Sequence, residues 1–384
     1  MANLTEFEIG LCGFGSMGRT HAWAVANLPF FFSSLPFRAR VAGLCTGHPE
    51  KAKELARTFS IPRVYPDPRA MLEDPDLNLV DLCTPNLTHA GLVRAALESG
   101  RAVLCEKPLC VTKEETEALR AFLGRPEAAR FGIVFHNRFF SGVLRAKELL
   151  KEGALGRILQ FRVDYLHDSC TDPQKPAGWK QYGSLGAGVL MDLGSHALDL
   201  VTHLLGPTQR LFCREQIAFP ERRGLDGKTW TTDGDESDSL YLELTSGACG
   251  TVTVSKLATG TQDDLSFYIS GTKGALRWNL MDPDFLEFFD ATCPDAPLGG
   301  RRGFTRIACV SRYPAPGGIF PSPKAPGGWL RAHLQSYCRF LEALAGETTP
   351  APGLSDALYN MDLLLAAKKS AEEGRMICPG DASS

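Results

Sequence analysis

The stretch "FEIGLCGFGSMG" (residues 7–18) restricts this chain more than any other. An apolar run of strand length ends in three spaced glycines, and a helix follows from about Ser16. Each glycine answers a separate steric demand. Gly13 permits a tight turn, Gly15 lets the backbone approach a pyrophosphate, and Gly18 lets helix and strand pack closely. The amides of Phe14, Ser16 and Met17 then stand at the helix start, where they face phosphate oxygens. Glycine spacing alone says little; the strand before it and the helix behind it make the signal specific.

The rest of the first third repeats the same alternation. Strand-like runs at 39–45, 79–83, 102–105 and 131–135 are separated by amphipathic helices at 49–59, 88–100 and 113–124. Alternation of this kind predicts an α/β fold, a doubly wound parallel sheet with helices on both faces. After Arg138 the pattern changes. A helix at 142–153 leads to strand-like runs at 157–166, 239–244, 250–256, 265–270 and 275–278, the last four joined by short turns, which predicts a mainly antiparallel sheet. The stretch 294–328 reads as an irregular loop, and helices at 329–344 and 354–374 close the chain. Two domains are therefore expected, 1–136 for the dinucleotide and 137–384 for substrate binding and assembly.

Composition removes several classes of function. The 384 residues carry a net charge of −3 with no lysine/arginine run, which argues against a nucleic-acid partner. The greasiest stretch, "NLPFFFSSLPF", is short and broken by Pro29 and Pro36, so no membrane span is expected. The N-terminus has no apolar segment of a secretory signal, and the twelve cysteines are scattered without a C-x-x-C pair. A reducing, cytoplasmic setting is expected, with neither disulfides nor a metal site.

In open α/β sheets, ligands bind beyond the carboxyl ends of the strands. Those ends read "TPN" (Thr84, Pro85, Asn86), "EKP" (Glu106, Lys107, Pro108) and "HNRF" with Arg138. Thr84, Pro85, Asn86, Glu106, Lys107 and Arg138 are thus candidates for the cofactor crevice. The second strand ends in Thr46 and Gly47, where an acid that binds the adenosine ribose is usual. Cofactor choice stays open between NAD and NADP, since Lys51 or Lys53 would attract a 2′-phosphate. Thr46 would bind a ribose hydroxyl or cap the next helix.

A second constellation is "GSLGAGVLMDLGSHALDLVTH" (183–203). Asp192 and His196 are four apart and share a helical face, and the small residues Gly186, Ala187 and Gly188 before them allow close approach of a backbone or ligand. His196 suits acid/base work near neutral pH, with Asp192 orienting the ring or gripping a hydroxyl.

Together these segments resemble the Gfo/Idh/MocA oxidoreductases. The carrying residues are "GFGSMGRTHA", "TPNLTHA", "CEKPL", "NRF", "GSLGAGVLMDLGSHALDL" and "YISGTKGALRWNL". The resemblance implies an N-terminal Rossmann domain and a C-terminal α/β domain whose large sheet forms a homodimer or homotetramer interface. It implies a cis Lys107–Pro108 bond, a catalytic trio of Lys107, Asp192 and His196, and His89 at the cofactor. Tyr165, His167, Trp179 and Lys180 would line a substrate pocket, although Lys180 stands where relatives carry arginine. The insert "FFFSSLPFRA" lengthens the first crossover, and its aromatics are expected to pack.

The expected activity is hydride transfer between a nicotinamide and a ring carbinol of a sugar, glycoside or cyclitol. His196 would take the hydroxyl proton, and Lys107 would stabilise the alkoxide. Two rivals stand beside it. One is glycoside cleavage with retained NAD(H), by transient oxidation and elimination; the other is a non-catalytic dinucleotide sensor.

Overall fold

Strand β1 (Thr5–Cys12) is the centre on which the first sheet is built. In the computed structural model, which describes residues 4–382 except 33, 177, 225–226, 315–316 and 318–319, five strands join it. They are β2 (Phe37–Cys45), β3 (Arg63–Tyr65), β4 (Leu79–Leu82), β5 (Ala102–Cys105) and β6 (Phe131–Ile133). All pairs are parallel, in the order β3-β2-β1-β4-β5-β6. The order reverses between β1 and β4, the switch point at which such sheets bind ligands. Helices α1 (Ser16–Phe31), α2 (Pro49–Thr58), α3 (Pro68–Glu73), α4 (His89–Glu98) and α5 (Lys113–Arg120) make the crossovers. Every residue of β4, β5 and β6 is buried, as a sheet covered on both faces requires.

The sequence predicts five of these strands and misses β3 and α3. Strand β3 has only three residues and offers no apolar run, and α3 is a short helix set by the Asp67 cap, whose carboxylate accepts from the amides of Arg69 and Ala70. The fifth expected strand is shorter than read: it stops at Ile133, and His136–Phe139 is a 3₁₀ turn.

The chain forms two compact units. The first comprises Met1–Phe139, Arg312–Ala325 and Trp329–Tyr359, so most of the long helix that starts at Gly328 belongs with the parallel sheet. Leu334, Tyr337, Cys338 and Leu341 of that helix share a core with Phe7, Ile9, Val25 and Leu28. Phe32 and Phe37 of the insert are buried in the same core and Phe31 packs edge-on to Phe320 at 5.2 Å, whereas Phe30 is exposed, so the aromatics pack in part.

The second unit comprises Phe140–Ser311, Pro326–Gly328 and Asn360–Ser384. After α6 (Ser141–Lys151) its strands are β7 (Ile158–Leu166), β8 (Thr208–Gln216), the ribbon β9 (Glu221–Arg223) and β10 (Thr229–Thr231), β11 (Ser237–Leu244), β12 (Cys249–Ser255), β13 (Asp264–Gly271), β14 (Gly274–Asn279), β15 (Phe285–Asp290) and β16 (Phe304–Ala308). Eight of them form a sheet ordered β16-β15-β14-β13-β7-β12-β11-β8. Only the β7–β12 pair is parallel. Helix α7 (Ser195–Leu205) packs on β7 and β12. Strands β8, β15 and β16 were not expected. "TQRLFCREQ" hides its strand period under charges, and β16 is a half-exposed edge inside the stretch read as loop.

Asp238 shares the inward face of β11 with Leu240, Leu242 and Leu244, a carboxyl at a position of the apolar row. Burial first, then the charges of Asp235 and Glu215, push its carboxyl up to about 10. The folded state therefore holds a proton that the unfolded chain releases near pH 4, and stability falls as pH rises from there towards 10. Asp238→Asn removes the titrating group. Thermal unfolding of the variant is expected to lose this part of the slope between pH 5 and 9 and to exceed wild type in melting temperature at pH 8.

Candidate active site

The glycine turn closes as its sequence demands. Gly13 has φ +91°, its amide donates to the Cys45 carbonyl at 2.8 Å, and a Cβ there would lie 2.2 Å from the Cys83 carbonyl oxygen. A Cβ on Gly18 would meet the Gly13 carbonyl at 2.2 Å, so Gly18 lets the helix close onto the turn itself. Gly15 differs: a Cβ would meet nothing within 4 Å. That space, at the start of a helix with no side-chain cap and no acid in its first turn, fits the pyrophosphate of a dinucleotide. Ser16 is exposed and Met17 half-exposed, whereas the Phe14 ring is buried against Phe59 at 5.0 Å, leaving only its backbone for a ligand.

At the end of β2, Thr46 accepts from the His48 amide at 3.2 Å and donates to the His48 carbonyl at 3.1 Å. It therefore shapes the turn before α2, while His48 with Pro49 begins the helix. Lys53 pairs with Glu50 at 2.9 Å, and Lys51 has no ion pair among the described residues.

Behind the strand ends lies a buried polar chain. His21, on the inward side of α1, places Nδ1 2.9 and 3.0 Å from the two Asp81 oxygens and Nε2 3.2 Å from Glu106 Oε1. The Tyr337 hydroxyl donates to Asp81 Oδ2 at 3.0 Å, and the Lys107 amide donates to Glu106 Oε2 at 3.2 Å. Burial alone would push the His21 imidazole down; the charge of Asp81 and its hydrogen bond outweigh that and hold it well above the ordinary histidine value. His21, Asp81 and Cys83 offer atoms within 4.8 Å of one another. Ligands around a tetrahedral zinc ion stand roughly 3.3 Å or more apart, whereas the 2.9 Å contact here is a hydrogen bond. The cluster joins charge-assisted hydrogen bonds on Asp81 to an ion-pair contact between His21 and Glu106, beside the turn where the Lys107–Pro108 bond is cis.

His89 ties neighbouring turns together. Its Nδ1 lies 2.7 Å from the Pro108 carbonyl and its Nε2 2.9 Å from the Thr84 carbonyl. Burial pulls its pKa down and the two carbonyls oppose this, so the ring is a buried strut between "TPN" and "EKP". Thr84 Oγ1 accepts from Thr88 at 2.7 Å; Pro85 is exposed and Asn86 half-exposed. Arg138 is buried and pairs with Asp356 at 2.9 Å.

The second unit gathers its own polar cluster at one edge of its sheet. Because β7 and β12 run parallel, Tyr165–Leu166 and Val254–Ser255 reach the same end together, and β13 starts there across from Leu166. Asp192 lies in a π-helical turn (Leu190–Gly194) that runs into α7, which carries His196. The wide turn starts under Asp235, whose carboxylate accepts from the Leu190 amide at 2.6 Å and whose carbonyl accepts from Val189 at 2.8 Å. Gly188, at φ +104°, admits that carboxylate: a Cβ would fall 2.0 Å from Asp235 Oδ1. Asp192 Oδ2 then meets Lys256 Nζ at 2.9 Å. The Tyr165 ring lies 6.2 Å from that of His196, and its hydroxyl donates to Asp263 Oδ1 at 2.7 Å; His167 Nε2 reaches the same oxygen at 2.9 Å. Trp179 is exposed in a short 3₁₀ turn, and the Lys180 side chain lies outside the described part.

Residues 7–127 match the model of the oxidoreductase family with an NAD-binding Rossmann fold, and residues 143–277 match the Gfo/Idh/MocA C-terminal domain. Levoglucosan dehydrogenase of Pseudarthrobacter phenanthrenivorans is 31% identical over 378 residues, covering 94% of this chain and 95% of that one. The chain belongs to the Gfo/Idh/MocA oxidoreductases. A solved levoglucosan dehydrogenase in complex with NADH and levoglucosan superposes with a TM-score of 0.92 at 30% identity, over 97% of this chain and 99% of that one. The scyllo-inositol 2-dehydrogenase (NAD(+)) of Bacillus subtilis is 26% identical over 96% of this chain and 95% of its own. The chain is thus a nicotinamide-dependent oxidoreductase with an NAD-binding Rossmann domain, and among the described residues no helix is long and apolar enough to cross a membrane.

Several residues of these two separate polar clusters were not singled out from sequence: His21, Asp81 and Tyr337 in the first unit, and Lys256 and Asp263 in the second. Two had a readable signal. Asp81 interrupts the buried strand "LVDL", and Lys256 continues the inward row of Val252 and Val254. A charge in such a phase needs a partner.

Two predictions follow from the geometry. Gly15→Ala is expected to keep its melting temperature within about 2 °C of wild type while NAD affinity, measured by calorimetric titration, falls at least tenfold; Gly13→Ala is expected to unfold earlier. His21→Gln is expected to cost about 3 kcal/mol at pH 6 by leaving buried carboxylates unpaired. Because folding raises the His21 pKa, its stabilisation is complete below about pH 6.5 and declines as pH rises towards the folded value. The gap between variant and wild type, read by denaturant unfolding, should therefore narrow from pH 6 to pH 9.

Proposed function

We propose that this enzyme oxidises a ring carbinol of a sugar or cyclitol, with NAD as the preferred cofactor. The observation that carries the proposal is the cluster in the second unit, where an imidazole and two carboxylates stand around one tyrosine. His196 and Asp192 are chemistry suited to a polyol: one group to take a hydroxyl proton, the other to accept a neighbouring hydroxyl. The relatives named for levoglucosan and inositol support the substrate class, and the NADH complex of the levoglucosan enzyme supports the cofactor.

When bound, the nicotinamide supplies the hydride acceptor. His196 takes the proton of the reacting hydroxyl. Lys107, as an ammonium, stabilises the developing alkoxide, a contribution of about 3 kcal/mol in comparable sites. Glu106 fixes the lysine backbone through its amide, and an ion-pair contact with His21 at 3.2 Å holds Glu106. Asp192 holds an adjacent hydroxyl, and Lys256 fixes the rotamer of Asp192. Tyr165, His167, Trp179 and Lys180 belong to the substrate wall in this proposal. Assembly into a homodimer or homotetramer through the second sheet is part of it too, supported by exposed Leu159 and Tyr241 on β7 and β11.

Lys107→Met and His196→Ala are each expected to lower kcat/KM at least a hundredfold with unchanged melting temperature. The assay follows NADH absorbance with a panel of levoglucosan, myo-inositol, scyllo-inositol and methyl glucosides. Turnover that survives both changes in folded protein would refute the assignment.

A further inference from the structure

Asp263 has an unusual division of labour between its two oxygens. Oδ1 accepts both the Tyr165 hydroxyl, at 2.7 Å, and His167 Nε2, at 2.9 Å. Oδ2 has no protein partner among the described residues, and the side chain stays 41% exposed. The carboxylate is thus held by one oxygen and open at the other. Burial would raise its pKa, but the hydrogen bonds from His167 and Tyr165 bring it below the ordinary aspartate value, so the free oxygen is an acceptor throughout the neutral range.

Its surroundings tie it to the chemistry. The Tyr165 ring, whose hydroxyl anchors it, lies 6.2 Å from His196 and is buried. Asp192 is near enough that its charge acts on both Tyr165 and Asp263. Tyr165 lies near the end of β7 and His167 just beyond it, and both side chains reach the same oxygen of Asp263, which precedes the β13 residue paired with Leu166. A carboxylate placed this way, with its orientation already fixed by the fold, loses little freedom on meeting a ligand hydroxyl.

We infer that Asp263 is a specificity-determining residue: its Oδ2 accepts a hydrogen bond from a second hydroxyl of the polyol, remote from the one His196 deprotonates. This rests on the sugar or cyclitol reading above and extends it. A site built to accept a hydroxyl discriminates strongly against the analogue that lacks it, because the fixed carboxylate is then left without its donor.

Asparagine separates binding from architecture. In Asp263→Asn the amide oxygen still accepts from Tyr165 and His167, while an NH₂ group replaces the free oxygen. Steady-state kinetics with the best-used member of the panel, under saturating NAD, are expected to show KM raised at least tenfold, kcat within threefold of wild type and the KM for NAD unchanged. Among monodeoxy analogues of that substrate, one should lose at least tenfold in kcat/KM with wild type and lose little further with Asp263→Asn. Wild-type KM in the asparagine variant together with a raised KM in Asp263→Ala would show a purely structural role and overturn the inference, as would equal sensitivity of both enzymes to every deoxy position. Absence of turnover by wild type across the whole panel would instead overturn the substrate reading on which it rests, and with it the inference.

Discussion

An imidazole between two carboxylates, sealed from water, is the constraint around which the first unit is arranged. His21 comes from the helix that follows the glycine turn, Asp81 from the middle of β4, and Glu106 from the end of β5. Tyr337 reaches in from the long helix on the sheet. Charges in a dry interior are tolerated only when each finds its partner, so four distant segments must arrive together. The turn carrying Lys107 is thereby held from below by Glu106, whose carboxylate accepts from the Lys107 backbone amide.

The second unit solves a similar problem differently. Its acids and bases are brought together by sheet topology. The wide helical turn carrying Asp192 begins under a carboxylate that only a glycine at position 188 can admit. Lys256 then meets Asp192 from the end of a strand, with its stem buried.

Legibility in the sequence followed the range of the interaction. The glycine turn, the alternation of β1, β2, β4, β5 and β6 and the polar ends "TPN" and "EKP" are local patterns, and their steric causes act within a few residues. Asp192 and His196, four apart, read as one regular helix, whereas Asp192 lies in a π-helical turn that no residue pattern announces. His21 and Asp81 are 60 residues apart, and Tyr165 and Asp263 are 98 apart. No local pattern encodes such meetings; they follow from strand order. Strands β3 and β16 were hidden for another reason, since short or edge strands need no apolar run. Thr46 shows the limit of motif reasoning from the other side: its hydroxyl shapes its own turn, which the residue type alone does not reveal.

The single parallel pair in an otherwise antiparallel sheet has a broader implication. It delivers two chain ends to one rim, yet neither needs to turn back at once, because each leaves through a separate connection. Those connections can lengthen, shorten or exchange side chains while the ladder beneath them keeps its register. A lineage built on this scaffold could acquire taste for a new polyol by rewriting the rim and leaving the floor as it is.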